Sequence, residues 1–172
     1  DLEAQLLTKV QFFKENATTL TNLIHQKIND KRQENGLQPL KWDHQLEIIA
    51  FSHSSDMAKR DYFDHVSPEG DDFADRYEEK NYTKDTRIGN QVYVGGENLF
   101  LNNIVESYTY DELTGEVFEY RFNSLEELAQ STVDGWMDSP GHRENILTPF
   151  SREGIGIYIT DEGEVYITEN FS

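Results

Sequence analysis

Near its C-terminus the chain changes hydrophobic period, and that change limits the available folds more than any other feature. Ile155, Ile157 and Ile159 alternate with Gly156, Tyr158 and Thr160. After Asp161-Glu162-Gly163-Glu164, the residues Val165, Ile167 and Glu169 alternate with Tyr166, Thr168 and Asn170. Period-two alternation on both sides of a glycine-containing turn predicts an antiparallel hairpin. Most of the chain before it has helical spacing. Leu20, Leu23, Ile24 and Ile28 share one face of a helix expected over residues 18–35, with Gly36 as its C′ residue. Asp43 is placed to cap a second helix running to about Arg60, with Leu46, Ile49, Ala50, His53 and Met57 along one stripe. A third helix passes through Phe73, Ala74 and Tyr77 and ends near Lys80.

Residues 81–121 give the weakest pattern, with a hairpin-like excursion around Thr114-Gly115. Ser124 and Glu127 then have capping-box spacing. The helix they open turns Leu125, Leu128, Ala129, Val133, Trp136 and Met137 inward, and Pro140-Gly141 is expected to end it. Residues His142 to Leu147 are expected to add one helical turn. Helices followed by a hairpin predict an α+β domain whose helices cover a mostly antiparallel sheet. Leu2, Leu6, Leu7, Val10 and Phe13 make residues 1–19 an amphipathic arm or helix, leaving residues 20–172 as one domain.

Composition narrows the function classes. The 172 residues include no cysteine, which removes thiol nucleophiles, cysteine–zinc sites and disulfides together. The net charge of −18 repels phosphate backbones and anionic lipid headgroups, so no nucleic-acid partner is expected. Apolar runs reach about four residues, far below the ~20 that span a bilayer. A first residue of Asp instead of Met suggests that a targeting segment has been removed.

Five histidines are the main candidates for chemistry. His25 and His53 fall on helical faces and read as packed residues, and His44 reads as exposed. His65 and His142 instead lie beside turn residues, in Asp64-His65-Val66-Ser67-Pro68 and Ser139-Pro140-Gly141-His142. Glu97 follows Gly95-Gly96, where the backbone can approach other groups closely. Two imidazoles and a carboxylate suit a divalent metal, and zinc on two His and one Glu keeps a position for water. The competing reading is three separate loop residues with local hydrogen bonds. The acids Glu69, Asp71, Asp72 and Asp75 read as a solvated helix start. Ser67 and Ser139 read as turn and cap residues, so no nucleophile stands out.

Five blocks, in order, resemble the CAP superfamily (SCP-like proteins: cysteine-rich secretory, antigen 5 and pathogenesis-related), in its prokaryotic branch. They are Ile28 to Asp43, Met57 to Gly70 with Tyr62-Phe63-Asp64-His65, Gly96-Glu97-Asn98-Leu99, Gly135 to Leu147 with Ser139-Pro140-Gly141-His142-Arg143, and Gly154 to Phe171. The resemblance implies a three-layer α-β-α sandwich and a central cleft with a His, Glu, Glu, His tetrad. Its first His falls on His65, its first Glu on Glu97 and its last His on His142. The second Glu falls on Ser139, with Asp138 the nearest acid. The resemblance also implies a secreted or cell-surface protein, and cleft metal binding recurs in the family.

The expected function is therefore a binding module holding a divalent metal, zinc for example, through His65, Glu97 and His142. The metal is not required for folding. A small ligand or a protein partner is expected, on a monomer that does not cross the membrane. The alternatives are a hydrolase in which the metal, or His65 with Glu97, activates water, and a structural surface domain with a vestigial cleft.

Overall fold

The computed structural model describes residues 1–172. Two helices open the chain: α1 (Leu2–Glu15), capped by the Asp1 carboxylate, and α2 (Ala17–Glu34). On α2 the stripe Leu20, Ile24, Ile28 is fully buried and continues, four residues on, into a buried Arg32. The short strand β1 (Lys41–Trp42) leads to α3 (His44–Arg60), whose cap is Asp43 as the sequence predicts. Helix α4 (Phe73–Glu79) opens with a capping box between Asp72 and Asp75, which accounts for the acidic helix start. A small hairpin follows, β2 (Thr86–Ile88) with β3 (Gln91–Tyr93), and then the long strand β4 (Gly96–Asn103).

The excursion near Gly115 is the hairpin β5 (Val105–Tyr110) and β6 (Val117–Phe122). The Ser124–Glu127 capping box opens α5 (Leu125–Met137). Pro140 does more than stop that helix: it starts α6 (Pro140–Leu147), a position where its missing N–H has no cost. The C-terminal hairpin is β7 (Arg152–Ile159) with β8 (Glu164–Phe171).

The main sheet has the order β1-β7-β8-β4. Only the β1–β7 contact is parallel. Alternation along β7 and β8 separates two faces. Ile155, Ile157, Ile159, Val165, Ile167 and Phe171 join the main core with Val10 and Phe13 of α1 and with residues of α2, α5 and α6. The opposite face receives α3, where Met57 packs with Leu99 and Tyr166 and the Ser54 hydroxyl lies 2.9 Å from the Gly156 carbonyl. Helices on both faces of a mostly antiparallel sheet form the α-β-α sandwich. Trp136 is fully buried on the main-core side.

The glycines of β7 set the distance between sheet and α3. A Cβ added at Gly156 would sit 1.9 Å from the Phe51 backbone nitrogen, and one at Gly154 2.2 Å from that of Glu47. No helix backbone yields that far, so α3 lies directly on bare strand backbone. Gly156→Ala should cost about 1–3 kcal/mol by forcing the layers apart. Gly141→Ala, with nothing within 4 Å of the new methyl, should stay within about 1 kcal/mol of wild type. Urea denaturation of the two variants makes the comparison. Equal stability would mean that α3 does not rest on β7 in this way.

Candidate functional site

Glu97 is the centre of the site. It lies on β4 opposite Asn170 of β8, facing the α3–α4 layer, and its side chain is only 1% exposed. A buried carboxylate must be paired and hydrogen-bonded. Its Oε1 lies 2.9 Å from Nδ1 of His65, and its Oε2 accepts from Nη2 of Arg76 at 2.6 Å and from Nδ2 of Asn170 at 2.9 Å. Burial works to protonate Glu97, but His65, Arg76, His53 and Asn170 outweigh it and hold the carboxyl below its ordinary range. The Gly95-Gly96 pair permits this arrangement: a Cβ at Gly95 would meet the Phe171 carbonyl at 2.1 Å.

His65 reaches Glu97 from the segment between α3 and α4. That segment is held at several points. Arg76 donates from Nη1 to the carbonyls of His65 and Asp71, at 3.0 and 3.1 Å. The buried His53 lies 2.9 Å from the Asp64 carbonyl through Nε2, so that nitrogen carries the proton. Arg60 clasps both Asp56 and Glu69. The hydrogen bond to Glu97 raises the His65 pKa above its ordinary value, against a smaller opposing effect of burial.

His142 lies near the start of α6, on the far side of β4. Its Nδ1 is 2.8 Å from the hydroxyl of Ser139, the residue at the family's second Glu position. Asp138 is exposed at the end of α5. Burial lowers the His142 pKa, and the positive charge of nearby His65 lowers it further. His142 thus feels the charge of His65, and the two histidines are driven in opposite directions. Asn98 and Asn145 hold α6 against β4. Asn98 Nδ2 donates to the His142 carbonyl at 3.1 Å, and Asn145 Nδ2 donates to the Glu97 carbonyl at 3.1 Å and to Asn98 Oδ1 at 2.8 Å.

His65 is therefore paired directly with Glu97, while His142 stands beside them without bonding to either. Both oxygens of Glu97 are spent on protein partners. No group of three or more His, Asp or Glu side chains is placed to hold a metal ion. Beside the network, between α3 and α4, a cavity of about 550 Å³ is lined by His53, Asp56, Lys59, Arg60, Glu69 and Arg76 among others, almost all polar. Sequence reasoning missed Arg76 and Asn170 as partners of Glu97. Asn170 carried a usable signal, since the predicted alternation of β8 puts it on the face opposite Ile167 and Glu169. Nothing in the sequence around Arg76 marks it.

No helix is long and apolar enough to cross a membrane. The profile of the CAP family, described as the cysteine-rich secretory protein family, matches residues 25–171. Two Bacillus subtilis (strain 168) proteins are similar in sequence. The uncharacterized membrane protein YlbC is 29% identical over 88% of this chain and 32% of its own length, and the uncharacterized protein YkwD is 30% identical over 74% and 38%. The chain thus spans about a third of the length of these relatives. Among solved structures, an extracellular SCP-domain protein of Bacillus anthracis aligns with a TM-score of 0.63 at 24% identity, over 90% of this chain and 40% of the other. An outer surface protein of Borrelia burgdorferi aligns with a TM-score of 0.61 at 15% identity, over 93% and 94%. With the five sequence blocks all inside the matched span, the sandwich formed and the His65–Glu97 pair in place, the chain belongs to the CAP family.

Proposed function

We propose that this domain is a non-enzymatic binding module of a secreted or cell-surface protein, and that His65 and His142 make its contact with a divalent cation such as zinc. The observation that carries this reading is how the imidazole nitrogens are used. Each histidine spends Nδ1 inside the protein, on Glu97 or on Ser139, and leaves Nε2 without a protein partner. A carboxylate on one ring nitrogen fixes the tautomer and strengthens the other nitrogen as a ligand. In this reading Glu97 orients His65 and does not itself ligate, and water completes the coordination. A bound cation would draw an anionic or carbonyl group of a small ligand or protein partner to the site. The described natures of the Bacillus anthracis and Borrelia relatives support a location outside the cell. The charge of −18 suits attraction of a cation.

Calorimetric titration of zinc into wild type and into the His65→Ala/His142→Ala double variant at pH 7.5 tests the reading. Wild type should bind and the double variant should not. Because His65 has a raised pKa, protons should already compete with the metal above pH ~6.5. No binding by wild type, or equal binding by the double variant, removes the metal from the proposal.

A hydrolase is the second reading. The observation favouring it is that His65 and His142 are pushed to opposite sides of the ordinary histidine value, as an acid and a base would be. Turnover of any ester, peptide or glycoside that His65→Ala abolishes would establish it.

The pair itself has a defined pH window. Glu97 is depressed, so its contribution to stability is present above pH ~4.3 and is lost as pH falls through its lowered value. His65 is raised, so its contribution is complete below pH ~6.5 and is lost as pH rises through its raised value. By NMR, the His65 imidazole should titrate above ~6.5 and move back toward it in Glu97→Gln. The same midpoint in both proteins would show that Glu97 does not hold the imidazolium.

A further inference from the structure

Outside the Glu97 site, the face of the sheet under α2 carries a second buried polar cluster. Glu153 of β7 and Glu169 of β8 are both completely buried. They lie on the row of the sheet that otherwise holds Ile155, Ile157 and Ile167. Two of their four oxygens have hydrogen-bond partners. Oε2 of Glu153 lies 2.5 Å from Nδ1 of His25, and Oε1 of Glu169 accepts from Nδ2 of Asn98 at 3.1 Å. The remaining atoms, Oε1 of Glu153 and Oε2 of Glu169, find no N–H or hydroxyl donor anywhere. The two residues are diagonal neighbours on paired strands: Glu169 lies opposite Ile155, two residues along the same face from Glu153. Two buried carboxylates so placed repel, and a proton on one of them gives its unpartnered oxygen a bond to the other.

We infer that Glu153 and Glu169 share one buried proton, and that this proton helps position His142 through Asn98. Every group in the chain then has a role. Glu169 is the acid and donates its O–H to the Glu153 carboxylate. His25 donates its Nδ1–H to the other Glu153 oxygen, while its Nε2 faces the amide of Asn29 at 3.5 Å. Glu169 keeps its carbonyl oxygen for Asn98, whose same nitrogen holds the His142 carbonyl and whose oxygen receives Asn145. A second negative charge on Glu169 would meet the Glu153 carboxylate with no donor between them, straining the end of the chain to which Asn98 is tied. The ionisable groups facing the pair are Arg32 and His25, both from α2. β4 offers only the neutral Asn98. Burial raises both carboxyls, Glu169 the more strongly because Glu153 is already negative. The inference does not depend on the metal reading, since neither carboxyl touches His65, Glu97 or the His142 side chain.

The sign of the pH effect is opposite to that of ordinary acid denaturation. A carboxyl that binds its proton more tightly in the folded state costs stability as pH rises above its unfolded value of ~4.3. Glu169→Gln keeps the shape, accepts from Asn98 through its oxygen and donates an amide N–H to Glu153 at every pH. Urea unfolding of wild type and Glu169→Gln should be followed from pH 4.5 to 8.5. The variant should gain on wild type as pH rises, with the slopes differing near neutrality by up to about one proton. The His65 contribution is common to both proteins and cancels. Parallel curves would overturn the shared proton. If the variant does not fold, carbon NMR of the wild-type glutamate carboxyls decides: one must remain protonated at pH 6, and full ionisation of all of them overturns the inference. The backbone amides next to Asn98 and His142 should shift with the same midpoint. Fixed amide positions through that titration would overturn the link to His142.

Discussion

Strand β4 lies at the end of the main sheet, and one of its edges has no neighbouring strand. Backbone groups on such an edge must find other partners or stay wet. Here they are met by side chains. The indole of Trp136 donates to the Leu99 carbonyl at 3.0 Å, and the Asn145 amide donates to the Glu97 carbonyl at 3.1 Å. These two carbonyls are two residues apart and so point to one side of the strand. One comes from the end of α5 and the other from α6, so closing the edge also fixes both helices against it. The position of His142 follows from this closure. Removing either side-chain donor would leave a carbonyl at the sheet edge unpaired, at a cost of about 1–3 kcal/mol.

The same strand has polar residues on both faces, which ordinary half-buried strands do not. Glu97 turns toward α3 and α4, and Asn98 toward α2. Their cross-strand partners on β8, Asn170 and Glu169, continue each network by one residue. Two buried acids thus lie back to back across the sheet, and the protein treats them oppositely. Glu97 is given a guanidinium, an imidazole and an amide, and it stays ionised. Glu169 is given another carboxyl, and it holds a proton. Which outcome prevails is decided by the donors within reach and not by burial, which is almost complete for both.

This double-faced polarity explains what the sequence left hidden. The C-terminal hairpin and the helices α2, α3 and α5 were legible because one side of each is apolar at the right period. Gly96-Glu97-Asn98-Leu99 has no such side, so β4 did not read as a strand although it pairs with β8 along its whole length. Arg32 was hidden for a related reason. It occupies the next position of the inward stripe Leu20, Ile24, Ile28, but a charge there looks like the end of the buried face. In the fold its guanidinium donates to the carbonyls of Gln38, Ile146, Thr148 and Phe150, tying α2 to the end of α6 and the turn after it. Pro140 reads as a stop in the sequence because a helical pattern has just ended. The missing N–H of proline suits a first helical residue equally well, and only the following residues distinguish the two.

The candidate site was legible in its residues and not in its wiring. His65 and Glu97 do meet, but Glu97 is saturated by Arg76 and Asn170, so the carboxylate orients and neutralises instead of reaching outward. Much of what marks the family in this chain is scaffold of the same kind. Trp136, Asn145 and Asn98 are spent on β4 and on each other. A family resemblance built on such residues predicts the fold well and the ligand poorly, because the groups that identify the fold are already occupied. The groups left to meet another molecule are few. They include Nε2 of His65 and of His142, the polar cavity between α3 and α4, and the exposed rings of Tyr108, Tyr110 and Phe118 on the separate β5–β6 hairpin. Of these, the two histidines have their rings oriented by protein partners, Glu97 and Ser139, while Nε2 stays available. That pre-organisation lowers the ordering cost of binding, and it is the physical reason to look for the ligand there first.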